Sequence, residues 1–310
     1  MSKKVKKNVL ITGVAGFIGS NLADFLISKG YNVFGVDDLS YGVIEQVPKT
    51  VKFFKMDIRD KEIDKIFHDM DFVFHLAAKN SLIDCEKNPE ETHDINVNGT
   101  FNVFRSALKH NVSKVIYAES SAVYEGDMNL PSTEDRVYPR SIYAKSKMLT
   151  NNIANDFQTK GLKTVGLRYF NVYGPRQDYK RTIPPVFSAF IINILKGEQP
   201  TIYGDGSKKR DFIYVDDVND FHLICLMSDQ TNNDVFNIGS GSNISINYIF
   251  QKIKDILNSD IEPDYGANFD FEAQENLSDI SKAKRLGWYP KIDLETGLER
   301  SIEYIRSFVV

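Results

Sequence analysis

The chain has 310 residues, 42% hydrophobic and 26% charged, enough apolar material for one large unit or two lobes. A net charge of −4 argues against a general affinity for nucleic acid, which needs a dense positive surface, and no apolar run approaches the length that crosses a bilayer. Cys85 and Cys225, the only cysteines, lie in apolar or helical sequence, so neither a disulfide framework nor a metal site is expected and the setting reads as cytoplasmic. The lysine-rich start runs straight into a short strand and a glycine turn. Asp24 follows too soon for an export signal, and the lysines read as a solvated end.

Short β-branched runs alternate with amphipathic segments through the first half. Strands are predicted over 8–12, 32–37, 52–57 and 72–76, with a helix over 19–29 between the first two. A helix over 96–109 leads to a strand over 114–119, and a helix over 141–157 precedes a strand over 164–169. This βαβ rhythm predicts an α/β fold, a Rossmann-type doubly wound parallel sheet of six or seven strands. Beyond Asn171, prolines at 175, 184, 185 and 200 break up a smaller α+β lobe with a helix over 186–195. Ser245 can cap a helix carrying Ile249, Phe250, Ile253, Ile256 and Leu257, and Leu294, Leu298, Ile302 and Ile305 recur at helical spacing. Those stripes read as core. The expected division is 1–172 for dinucleotide binding and 173–310 for substrate, with parts of 210–240 returning to the first domain.

Gly13, Gly16 and Gly19 stand three apart where a strand gives way to a helix, with Phe17 and Ile18 between the last two expected to meet the cofactor as well. Missing side chains there allow a tight turn and a close approach of backbone N–H groups to a pyrophosphate at the helix N-terminus. The second strand ends in Asp37, whose carboxylate can accept both adenosine ribose hydroxyls and would repel a 2′-phosphate, so NAD is expected over NADP. Asp38 competes for this role, and Asp57 and Ile58 end the next strand where the adenine edge could be read. Tyr143 and Lys147 lie one helical turn apart on one face. An ammonium beneath a phenol favours the phenolate, and a tyrosine so tuned can take a proton from a sugar hydroxyl near neutral pH.

Together with His75-Leu-Ala-Ala78, Asn96, Ser120, Arg168-Tyr-Phe-Asn171, Gly174-Pro-Arg176 and Arg210-Asp-Phe-Ile-Tyr-Val-Asp216, these motifs resemble the extended short-chain dehydrogenase/reductase family, and within it the nucleotide-sugar epimerases. The resemblance runs from Asn8 to the Asp279-Ile-Ser-Lys-Ala283 segment. It implies a tightly held NAD, touched also by Leu76, Ala77, Ala78 and Asn96, a nucleoside-diphosphate sugar with UDP favoured, and a homodimer joined through the helices that follow Asn96 and contain Tyr143. Tyr143 would be general base and acid, Lys147 would hold the nicotinamide ribose, and Ser120 would bond the reacting sugar oxygen. Lys79, Ser121, Asn171, Arg176 and Arg210 would meet substrate, and one or two of Arg176, Arg181, Lys208 and Lys209 would add charge. Asn276, three residues before Asp279, would gate sugar size and leave room for an N-acetyl group.

Relatives that dehydrate the sugar carry Asp-Glu directly after the strand-end hydroxyl, where this chain has Ser121 and Ala122. The decarboxylating branch has a Glu close by, which Ala122 cannot supply. The resemblance therefore favours 4-epimerisation of a UDP-hexose of glucose/galactose type, or its N-acetylated form, through a 4-keto sugar. Another NAD-dependent nucleotide-sugar reaction (4,6-dehydration, decarboxylation or reduction) is the alternative, and a non-catalytic dinucleotide-binding protein a more distant one. Two departures stand out. Residues 268–274 lack the Arg that pairs with the diphosphate in many relatives, and Glu125 interrupts Val-Tyr-Gly, which is expected to reshape the loop over the sugar.

Overall fold

A computed structural model describes residues 6–177, 184–268 and 273–309. In chain order the first half holds β1 (Asn8–Thr12), α1 (Phe17–Ser28), β2 (Asn32–Asp37), β3 (Lys52–Lys55), β4 (Phe72–His75), α2 (Leu82–Lys87), α3 (Pro89–His93), α4 (Thr100–Lys109), β5 (Lys114–Ser120), α5 (Ile142–Thr159) and β6 (Thr164–Tyr169). The second half holds β7 (Asn171–Tyr173), α6 (Val186–Leu195), β8 (Thr201–Tyr203), β9 (Lys209–Arg210), β10 (Phe212–Tyr214), α7 (Val215–Met227), β11 (Asp234–Ile238), β12 (Ile244–Ser245), α8 (Ile246–Leu257), β13 (Asp264–Gly266), α9 (Ser281–Lys284) and α10 (Leu294–Val309). Two compact units result. The first takes the described residues up to Gly126 with Val137–Tyr169 and Asn219–Phe236, and the second takes Asp127–Arg136, Phe170–Val218 and the described residues from Asn237 onward.

A seven-stranded sheet in the order β11-β6-β5-β4-β1-β2-β3 organises the first unit, and the pairings from β3 through β6 are parallel. Val9, Leu10 and Ile11 of β1 are fully buried, as a central parallel strand covered on both faces requires. Strand order reverses between β1 and β4, and in such sheets ligands bind at the carboxyl ends beside that reversal. Helices α4 and α5 are fixed to the sheet by aromatic packing, with the Phe104 ring edge-on to Tyr117 at 5.5 Å and tilted against Phe157 at 5.8 Å.

Local differences from the expected boundaries have local causes. Strand β3 ends at Lys55 because Asp57 turns back to accept from the Arg59 N–H at 2.7 Å. The helix expected from 96 begins at Pro89, a residue suited to a first helical turn, and widens into a π-helical stretch over Asp94–Gly99 before α4. A Cβ on Gly99 would collide with the Ile58 side chain. Helix α7 and strand β11 give regular structure to part of the stretch expected as irregular α+β.

The second unit pairs β7 with β10 in parallel, β9 with β12 antiparallel, and β8 with β13 in parallel. Ser245 caps α8 by accepting from the Tyr248 N–H at 3.2 Å. Phe190 of α6 packs edge-on against Phe250 of α8, and Leu298, Ile302 and Ile305 of α10 are buried, so the apolar stripes are core. Among the described residues no helix is long and apolar enough to cross a membrane. Cys85 and Cys225 are buried free thiols.

Candidate active site

The turn after β1 closes through Gly16 N–H donating to the Gly13 carbonyl at 3.1 Å. Gly13 has φ +74°, and a Cβ on it would press on the Ala77 backbone N at 2.8 Å, while a Cβ on Gly19 would overlap the Gly13 carbonyl oxygen. Both positions need glycine for closeness, and at Gly13 also for conformation. Phe17 and Ile18 open α1, which has no acid in its first turn and no side-chain cap from Gly16, so its positive end suits an anion. These features fit a dinucleotide pyrophosphate.

Beneath the turn runs a buried chain that the sequence reading missed. The Thr12 hydroxyl accepts from the Ala77 N–H at 3.2 Å and meets His75 Nδ1 at 2.8 Å, while His75 Nε2 meets the Thr100 hydroxyl at 2.8 Å. Thr100 gives its proton to the Asn96 carbonyl at 2.6 Å, so His75 donates from Nε2 and accepts at Nδ1. Burial first, then the charge of Lys147, lowers the His75 pKa to about 3, and the ring stays neutral. Leu76 N–H donates to the Thr12 carbonyl at 3.1 Å, which holds Leu76, Ala77 and Ala78 beside the glycine turn. A Thr directly before the glycines, with a His ending a later strand, was the available signal.

Asp37 and Asp38 point into different surroundings. Asp37 is buried against the glycine turn, accepting from the Ala15 N–H at 3.0 Å and the Leu39 N–H at 2.9 Å. Desolvation raises its pKa against those two hydrogen bonds. Asp38 is exposed and accepts from the Ser40 hydroxyl at 2.7 Å. Asp57 is gripped by the Arg59 guanidinium, which lowers its pKa, and Ile58 is buried in the core. The Asn96 amide is spent on the chain itself, accepting from Lys79 N–H and donating to the Lys79 carbonyl and the Ser146 hydroxyl. Buried Lys79 pairs through its ammonium with Glu91.

Ser120 ends β5 and caps the following turn, its hydroxyl accepting from the Ala122 N–H at 3.2 Å, and Ser121 opens that turn. Lys147 is buried on α5, donates to the Ala118 carbonyl at 3.0 Å, and lies 5.9 Å from the centroid of the Tyr143 ring. Burial lowers its pKa to about 8, with Glu119 and Cys85 pushing the other way. Glu119 in turn accepts from Arg168 Nε at 2.7 Å, and Arg168 donates to the Tyr124 hydroxyl at 2.8 Å. Ser120, Tyr143 and Lys147 thus share the first unit with the glycine turn and Asp37.

In the second unit, Asn171 donates to the Asp211 carbonyl at 2.8 Å and to Asn276 Oδ1 at 3.3 Å, and Asn276 Oδ1 accepts from the Asp211 N–H at 2.7 Å. A cavity of about 200 Å³ has Asn171, Tyr203, Lys208 and Arg210 among its polar lining and Phe190, Ile202, Phe212 and Ile246 on its apolar side. Lys208 is buried and Lys209 exposed. Fully buried Asp211, which the sequence reading did not single out, accepts from the backbone N–H groups of Ser240, Ser278 and Gly241 and so anchors the strand that carries Arg210. Arg176 is held at φ +71° after β7. Asn276 is not part of the cavity lining. Arg181 and residues 269–272 lie outside the described residues.

The sequence profile of the NAD dependent epimerase/dehydratase family matches residues 9–239. The structure is similar to a UDP-glucose 4-epimerase of Thermotoga maritima solved with UDP-glucose, at 37% identity and a TM-score of 0.94, covering 98% of this chain and 100% of that one. It is also similar to a UDP-N-acetylglucosamine 4-epimerase of Methanobrevibacter ruminantium in complex with UDP-N-acetylmuramic acid, at 36% identity and a TM-score of 0.93, covering 98% and 99%. A UDP-N-acetyl-alpha-D-glucosaminuronate decarboxylase of Bacillus cytotoxicus is 33% identical over 323 residues, covering 97% of this chain and 98% of that protein. Matches of this extent, meeting a glycine turn shaped for a pyrophosphate, establish that the chain belongs to the NAD dependent epimerase/dehydratase family.

Proposed function

We propose that the protein is an NAD-dependent 4-epimerase of UDP-hexoses, taking sugars of the glucose/galactose type or their N-acetylated forms. The observation that carries this reading is the buried Lys147 ammonium, fixed to the Ala118 carbonyl and lying beside the Tyr143 ring on the helix that packs on β5. The glycine turn with Asp37 holds the dinucleotide. When bound, NAD supplies reversible two-electron chemistry at sugar C4. Tyr143 takes the O4 proton and later returns it, Lys147 favours the phenolate by its charge, and the Ser120 hydroxyl orients O4. Oxidation and reduction cancel over a turnover, so only the configuration at C4 changes.

Asn171, Arg210 and the cavity they line take the uridine diphosphate, with Arg210 as the charged clamp, and Asn276 acts by orienting Asn171. Ser121 and Ala122 put no carboxylate at the two positions directly after Ser120, and Glu119 before it is held by Arg168, which favours epimerisation over the decarboxylase chemistry of the Bacillus relative. A cytoplasmic homodimer joined through α4 and α5 belongs to the same reading, and exposed Phe101 on α4 supports it.

The test is to incubate purified protein with UDP-glucose, UDP-galactose, their N-acetylamino counterparts and UDP-glucuronate, and to resolve products by NMR. Interconversion of C4 epimers without net NADH or carbon dioxide is expected; a stable keto sugar or a pentose product overturns the assignment. Tyr143→Phe is expected to keep the fold and bound NAD while losing ~10²- to 10⁴-fold in turnover, the usual contribution of a general acid/base.

A further inference from the structure

The helix that carries Tyr143 and Lys147 starts in a carboxylate grip. Its N-cap, Ser141, accepts from the Ala144 N–H at 3.1 Å in the ordinary manner. The Ser141 hydroxyl itself donates to Glu125 Oε1 at 2.8 Å, and Glu125 Oε2 accepts from the backbone N–H groups of Ser141 at 2.8 Å and Arg140 at 3.2 Å. From another side Glu86 accepts from the Ile142 N–H at 2.7 Å. Tyr143 is the next residue. A carboxylate that takes three donors at a helix start both offsets the helix dipole and fixes the direction in which the first turn leaves the loop.

Glu125 directly follows the short turn over Ser121–Tyr124 that Ser120 caps, and its own N–H donates to the Ala122 carbonyl at 3.1 Å. The same segment is pinned across the loop by Tyr138 N–H to the Val123 carbonyl at 2.7 Å and Gly126 N–H to the Tyr138 carbonyl at 3.0 Å. A Cβ on Gly126 would press on Tyr138 at 2.9 Å, so glycine lets the two sides of this loop meet. Glu125 is therefore a side-chain link between the turn that follows Ser120 and the helix start that bears Tyr143, beside the Lys147 bond to the Ala118 carbonyl one turn further along.

We infer that Glu125 is a positioning residue for the epimerisation, a tether that sets the placement of the Tyr143 hydroxyl relative to Ser120. The inference rests on the proposed roles of Ser120 and Tyr143. Misplacing a reacting group by about 1 Å can cost on the order of a hundredfold in rate while leaving binding intact, so the signature is a fall in kcat with little change in KM.

Three variants separate reach from charge. Glu125→Ala removes every contact, Glu125→Gln keeps the reach and one accepting oxygen, and Glu125→Asp keeps the charge but is one methylene short. Turnover of the best C4-epimer pair is measured below the melting temperature of each variant, with NAD content and far-UV circular dichroism as controls. The expected result is a kcat lowered by roughly 10- to 100-fold in Glu125→Ala, KM within about twofold, and recovery that is better in Gln than in Asp. A kcat in Glu125→Ala within about twofold of the parent overturns the inference. If the Ala variant does not fold, Gln and Asp decide alone, and Asp equal to or better than Gln overturns it. A parent enzyme inactive on every UDP-hexose sinks the proposed function instead, which keeps the two failures apart.

Discussion

Lys147 is the residue at which stability and the proposed chemistry oppose each other. Buried on α5, its ammonium has a pKa lowered from 10.5 to about 8 because burial disfavours the charge, while the proposed chemistry needs that cation beside Tyr143. Between pH 8 and 10.5 the unfolded chain binds a proton that the folded chain has released, so this group makes the protein more stable as pH rises through that window. A Lys147→Met variant lacks the effect, and its turnover should collapse. Comparing the unfolding free energies of parent and variant by urea titration, the difference should move in favour of the parent by up to about 3 kcal/mol from neutral pH to the top of the window. A difference that stays flat with pH would show that the ammonium is not desolvated.

At the scale of an element, the β1 turn and α1 form one device whose geometry depends on backbone contact. In Gly19→Ala the new methyl meets the Gly13 carbonyl, a backbone atom that cannot step aside without opening the turn. A loss of about 1–3 kcal/mol of stability is expected from the overlap, together with loss of copurifying NAD. Gly30, just past the end of α1, supplies the control: its φ is +88° but nothing lies near its would-be Cβ. Gly30→Ala should cost about 1–2 kcal/mol from backbone strain alone and leave NAD content unchanged. Equal NAD loss in both variants would mean that general destabilisation, and not the turn, releases the cofactor. Helix α5 makes the same point, since its placement depends on carboxylates that arrive from outside it.

Across the whole molecule, acid sensitivity should follow two imidazoles. Burial holds His75 and His222 neutral, each with a pKa near 3, and His222 Nε2 is further engaged by the Tyr169 hydroxyl at 2.7 Å. Below the ordinary value of 6.5 the unfolded chain takes up protons at both sites that the folded chain refuses until about pH 3, so stability falls as pH falls through that range. Each ring contributes a slope that rises toward about 1.4 kcal/mol per pH unit as pH falls from about 6 to about 5, and His222→Gln should remove one of the two contributions. Urea unfolding over that interval measures the slope; an unchanged slope in the variant would mean that His222 is already charged in the folded state.

What the sequence determines here is local. The glycine turn occupies a few consecutive residues between a strand and a helix, and Tyr143 and Lys147 are spaced by one helical turn, so covalent spacing alone brings these groups into register. The parallel sheet is legible for the same reason, because buried parallel strands must be apolar along their whole length. Tertiary structure decided what spacing leaves open. Asp37 and Asp38 are neighbours in sequence, but adjacent residues leaving a strand face opposite sides, and only packing against the glycine turn buries the first while the second stays with Ser40. Asn171, Asp211 and Asn276 meet across long stretches of chain, and β11 takes its place beside β6 only once the sheet exists. Glu125 reads in the sequence as an intrusion into a loop. Its carboxylate acquires a purpose only when the fold carries Arg140 and Ser141 back to it, because a hydrogen bond depends on where donors end up in space and not on how far apart they lie in the chain.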